Sequence, residues 1–160
     1  MSSFTDKLQT EQISLKPRRW RLLKGFRYYI GAEGSEKWID VLPDLIFDGG
    51  TIPRAVWFID APLGDGAQSY CLHDAIYGGE AGTRAFCDDL LLESLKVLGM
   101  DWTRRNIIYN QVWMWGWIKW SQHTPESIAN GRKFIRTSWS LPRMPPPAYE
   151  LPPPSPLMGV

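Results

Sequence analysis

The stretch SYCLHDAIYGGEAGTRAFCDDLLLESL, Ser69 to Leu95, decides how this chain folds. It carries one of the two histidines, both cysteines and a carboxylate, Asp88, set among leucines. Its pattern predicts two helices, one from about Ala67 to Tyr77 and one from Thr83, as N-cap, to about Leu98, broken by GGEAG. On the first, Tyr70, His73, Asp74 and Tyr77 fall at i, i+3, i+4 and i+7, one stripe on one face. On the second, a step of 100° per residue groups Asp89, Glu93 and Lys96 in a polar sector. Leu91, Leu92, Leu95 and Leu98 take the opposite arc, and Asp88 falls between Leu92 and Leu95. A charged group there is costly without a partner. The short connection brings the His73 stripe closest, so a contact of Asp88 with His73, and with Tyr77 beside it, is expected.

Two readings of that seam stay open. Asp48 sits beside Gly49 and Gly50, where backbone can approach another group closely. Asp48, His73 and Asp88, supported by Asp74, suit a divalent metal with an open position for water, or a metal-free acid–base pair. The other reading is architectural: an Asp–His pair with a tyrosine hydroxyl locks two helices through buried hydrogen bonds. Periodicity favours the lock. Cys71 and His73 point about 200° apart on a helix, so one metal does not take both. Both thiols read as small core residues in a reducing compartment, and two cysteines make no disulfide framework.

Working outward, residues 1–16 read as a polar arm. RWRLLKGFRYYIG and KWIDVLPDLIF, separated by AEGSE, read as a pair of strands, with Pro43 marking an edge or a break. Thr51 and Pro53 suit a helix start. Asp101 caps a third helix, DWTRRNIIYNQVWMWGWIKW, reaching about Ser121. It is apolar nearly all round, with Trp113, Trp117 and Trp120 on one side. Burial in the core is the first expectation for it, a protein interface the second and a bilayer surface a distant third. Residues 125–141 form a connecting segment with Pro125 and Gly131 as breakers. Residues 142–160 are proline-dense and favour an extended polyproline conformation. His123 reads as a charge at a helix C-terminus. The expected fold is α+β: an N-terminal antiparallel hairpin or sheet on a three-helix core over residues 17–124, followed by the extended tail.

Composition bounds the function. The 160 residues carry 18 Lys+Arg against 17 Asp+Glu, which leaves no overall electrostatic footprint for nucleic acid. The N-terminus lacks the apolar run of a signal peptide, and NIIYNQVWMWGWI is too short to span a bilayer. Nine tryptophans are many for this length and concentrate where cores or interfaces form.

Three motifs in order, DGGTIPR, HDAIY and RAFCDD, resemble those of a small domain family of unknown function carried by tailed bacteriophages and prophages. That family's pattern runs Asp-Gly-Ala-Ser-Ile-Pro, His-Asp-x-x-Tyr and Arg-Ala-x-x-Asp. It falls here on Asp48, Gly49, Thr51, Pro53, His73, Asp74, Tyr77, Arg84, Ala85 and Asp88. Gly50 and Thr51 replace the family's Ala and Ser, and Leu-Ile-Phe precedes Asp48 where the family has Gly-Phe-x-Thr. The resemblance implies a phage product, found in the virion and, during assembly, in the bacterial cytoplasm. The expected role is a tail or baseplate component partnered by other phage structural proteins. Trp113, Trp117, Trp120 and the tail residues Pro146 and Tyr149 would form its interfaces. The alternative is a small His/Asp hydrolase, metal-dependent or not, cutting the cell wall as the phage enters or lyses its host.

Overall fold

The structure, a computed structural model, describes residues 1–48 and 64–143. Thr51, Pro53, Pro146 and Tyr149 lie outside the described residues.

Side chains of period two build the N-terminal half. In β3 (Arg18–Leu22), Trp20 and Leu22 point inward; in β4 (Phe26–Tyr29), Phe26 and Tyr28; in β5 (Trp38–Val41), Ile39 and Val41. The two predicted strands are each broken in the middle. The first bends at Leu23–Gly25, the second at Leu42–Leu45, where Pro43 interrupts the ladder and Asp44 adopts a φ of 69°. The bends face each other. A Cβ on Gly25 would lie 2.7 Å from the Val41 carbonyl oxygen and 3.1 Å from Pro43 Cδ, so only glycine lets the two corners nest. Before its bend the first strand pairs as β3 with β6 (Ile46–Phe47), and after it as β4 with β5, so one folded hairpin feeds two sheets.

Residues 1–16, read from their polarity as an arm, contribute strands to both. β1 (Ser3–Phe4) lies along β4, and β2 (Thr10–Leu15) along β3. The chain returns at its other end as β7 (Ile135–Thr137) on β5. The result is a four-stranded antiparallel sheet ordered β1-β4-β5-β7 and a three-stranded one ordered β2-β3-β6.

Helices follow their caps. α1 spans Ala67–Gly78 and α2 spans Arg84–Val97, the latter started by Thr83 Oγ1 accepting from the Phe86 amide at 3.2 Å. Gly99, at φ 83°, lies just past the end of α2. α3 (Trp102–Trp120) starts at Asp101, whose carboxylate accepts from the Arg104 amide at 3.0 Å. A fourth helix, α4 (Pro125–Arg132), occupies the segment read as a connection. Thr124 and Ser127 form a reciprocal capping box and Pro125 fits the first turn, where its missing N–H costs nothing. The fold is therefore α+β, with four helices and two antiparallel sheets among the described residues.

One core joins the sheets to α1 through Leu22, Tyr28, Ile39, Val41, Leu72 and Ile76. A smaller one lies among α1, α2 and α3, built on Tyr70, Leu91, Leu95 and Ile108. α3 does not sink into either as expected. Ile108 is its one buried side chain, while Trp102, Trp113, Trp115 and Trp117 are each more than half exposed. A helix apolar on every side needs cover on every side, and the cores reach only one arc of it.

Candidate functional site

α1 and α2 run back along each other so that His73 meets Asp88. The His73 Nε2 lies 3.1 Å from Asp88 Oδ1. Asp88 is fully buried, and its other oxygen accepts from Arg84 Nη1 at 3.1 Å, one helical turn earlier on α2. The same guanidinium nitrogen donates to the Trp113 carbonyl at 3.0 Å, and the Tyr77 hydroxyl donates to the Gly116 carbonyl at 2.5 Å. The approach at Gly116 is close: a Cβ there would lie 3.0 Å from the Tyr77 hydroxyl. Asp88 thus sits at the centre of a network that ties α1, α2 and α3 together. Burial, and then the charge of Asp88, push the Tyr77 hydroxyl up to about 12, so it stays a neutral donor.

The direction of the imidazole separates the two readings of this seam. Nε2 is the nitrogen farther from the backbone, the one best placed to reach a substrate. Here it is spent on a buried carboxylate that a guanidinium already neutralises. A base whose reaching nitrogen points into the core is a poor general base and a good strut. His73 and Tyr77 stack at 4.9 Å between ring centres, and Tyr77 meets Trp120 edge-on at 4.8 Å. Trp120 is therefore packed inward, unlike Trp113 and Trp117 on the same helix. His123, read as a charge on a helix end, instead pairs through Nδ1 with Glu80 at 3.0 Å, tying the start of the α1–α2 turn to the end of α3.

Asp48 does not join His73 and Asp88. Its carboxylate accepts from Lys119 Nζ at 3.1 Å, and its neighbour is Asp74 on α1. Among the described residues no three His, Cys, Asp or Glu side chains gather as a metal would require, so the expected Asp48–His73–Asp88 ligand set is not assembled. What is assembled is a pair of carboxyls with one ammonium, on the wall of a cleft of ≈ 690 Å³ lined by Tyr70, His73, Tyr77 and Trp115 among others. Burial, then the charge of Asp48, push the Asp74 carboxyl up to about 7. Asp74 Oδ2 is sealed from solvent without a hydrogen-bond partner among the described residues. Burial works against the Lys119 ammonium, but Asp74 and Asp48 outweigh it and its pKa rises. A carboxyl that titrates near neutrality in a cleft can take or give a proton.

Lys119 is the residue that sequence reasoning missed. The signal was present: it is the single charge after Arg105 on α3, an isolated cation on an apolar helix, the mirror image of Asp88. Both thiols are buried, and burial raises the pKa of each, which makes them inert core groups.

Comparison with curated proteins and with solved structures found no match. A family model described as a protein of unknown function, DUF1353, matches residues 20–112. That span runs from β3 into α3 and contains Asp48, His73, Asp74, Tyr77, Arg84 and Asp88, and it stops just before Trp113. With more than half of its residues inside that match, the chain belongs to the DUF1353 family.

Proposed function

We propose that this protein is a docking component of a larger assembly, and that the assembly is a bacteriophage particle, in its tail or baseplate. The carrying observation is the outer face of α3, where Trp102, Trp113 and Trp117 share one side of the helix and are 54–68% exposed, beside exposed Met114; Trp115 is also exposed but faces the cleft. Single exposed apolar residues are ordinary; a contiguous run of indoles is a mark of an interface. Covering the exposed half of one indole, on the order of 100 Å², is worth roughly 2–3 kcal/mol. In this reading the His73–Asp88–Arg84 network holds α3 at the angle that presents its outer face. The phage setting rests on the likeness of the three motifs to the phage-borne family. Mass spectrometry of purified particles tests it, with a Trp113→Ala/Trp117→Ala variant supplied in place of the native protein. The native chain is expected in the particle and the variant depleted; a particle without the native chain overturns the proposal.

The second reading, a small hydrolase acting on the cell wall, is favoured by one observation: the Asp48–Asp74 pair in the cleft, with Asp74 set to exchange a proton near neutral pH. The acid–base work would then fall to Asp74 and Asp48 rather than to His73 and Asp88. Turnover on cell-wall substrates, abolished in Asp74→Asn with the fold retained, is the expected result. No turnover by the native protein removes this reading.

A further inference from the structure

The exposed face of α3 needs an occupant, and the chain carries one. Its last described residues are anchored at the turn between α1 and α2. Trp139 Nε1 donates to the Ala81 carbonyl at 3.0 Å. Arg132 bridges the Gly79 carbonyl at 2.9 Å and the Pro142 carbonyl at 2.7 Å. That turn also borders the second half of α3. Glu80 pairs with His123, Tyr77 bonds the Gly116 carbonyl, and Arg84 bonds the Trp113 carbonyl. The chain therefore leaves the described fold near the second half of α3, the half that carries Trp113 and Trp117.

Seventeen residues, 144–160, follow, and seven of them are proline. At about 3.1 Å per residue a polyproline segment of that length spans about 50 Å. The whole of α3, 19 residues long, spans about 28 Å at 1.5 Å per residue. Reach is not limiting. The chemistry fits as well. Proline-rich segments dock in aromatic-lined grooves because their rings stack on indoles and their backbone is already extended, so little conformational entropy is lost. Met144, Leu151, Leu157 and Met158 add apolar anchors to the prolines. A tether this short also gives an effective concentration near the millimolar range, so a weak contact is enough to close.

We propose that the proline-rich tail, residues 144–160, straps across the Trp113–Trp117 face of its own chain and covers it until a neighbouring protein displaces it. The proposal rests on the reading of α3 as a docking face and supplies the regulation of that face.

A spin label tests it on the full-length protein. Cys71 and Cys87 are buried, so a nitroxide reagent selects the thiol introduced by Ser155→Cys. Contact between that nitroxide and α3 quenches tryptophan emission. The expected result is quenching whose extent is unchanged by tenfold dilution, and which is lost when Pro145, Pro146 and Pro147 are all replaced by serine. The serine variant should bind more of a hydrophobic dye such as ANS, and adding Trp113→Ser and Trp117→Ser should cancel the gain. Circular dichroism confirms that each variant is folded. Quenching that is absent, or that grows with protein concentration, overturns the strap and leaves the docking face standing. Quenching as expected, with normal incorporation of the Trp113→Ala/Trp117→Ala variant into particles, instead removes the docking reading.

Discussion

Replacing Asp88 with alanine removes the centre of the three-helix network, and the cost can be worked from what it leaves behind. Asp88 is fully buried and both its oxygens are used, one by His73 at 3.1 Å and one by Arg84 at 3.1 Å. Removing one partner of a buried ionic network costs about 3–5 kcal/mol, because the remaining groups stay desolvated. Two features place this case near the lower end. The His73 and Arg84 side chains keep 11% and 24% of their surface, so both regain some water. Arg84 also keeps its bond to the Trp113 carbonyl. The expected loss is about 3 kcal/mol, a fall in melting temperature of roughly 10 °C for a domain of this size. Asp88→Asn keeps the shape and one acceptor, and should lose about half as much. Urea unfolding followed by far-ultraviolet circular dichroism measures both. A double-mutant cycle with His73→Ala isolates the pair, and a coupling of at least 1 kcal/mol is expected. A loss below about 1 kcal/mol for Asp88→Ala, with no coupling to His73, refutes the claim that this seam is a lock.

Three further outcomes follow from the same geometry. Asp74 titrates at about 7 in the fold against 3.8 as its ordinary value, so the folded chain holds a proton that the unfolded one releases. Stability should fall as pH rises from about 4 through 7, by an amount on the order of 2–4 kcal/mol, and level off above; Asp74→Asn should flatten that slope in urea titrations run across the range. Gly131→Ala gains about 1 kcal/mol of helix propensity in α4, yet its Cβ would press on the backbone of Gly78 and Gly79, 2.8 Å from the Gly79 nitrogen, so a net loss of about 2 kcal/mol is expected by thermal unfolding. Trp117→Ala, on the exposed face, should cost no more than about 1 kcal/mol, whereas Ile108→Ala, the buried contact of the same helix, should cost about 2–4 kcal/mol in the same denaturation assay.

Asp88 and the helix starts were legible in the sequence because their causes lie within one or two turns. Thr83 and Asp101 cap because a side-chain oxygen reaches an amide three residues on. Asp88 lies on the apolar arc because helical periodicity puts it there, and the cost of a bare buried charge names its need for a partner. Thr124 with Ser127 and Pro125 belong to the same class, yet the α4 segment read as a connection, since Pro125 and Gly131 weighed as breakers rather than as a first turn and a close helix contact.

Other features had no local cause. The bend that sends one hairpin into two sheets depends on Gly25 meeting Val41 and Pro43. The strands in residues 1–16 exist because β3 and β4 offer them edges. Asp48 meets Lys119 across 71 positions of sequence. The bare outer face of α3 is the clearest instance. The sequence alone determined that this helix is apolar all round, since that is a property of its own residues. Only the tertiary structure decided which side stays uncovered, because cover is shared among all the elements of a small domain and runs out where no other element reaches.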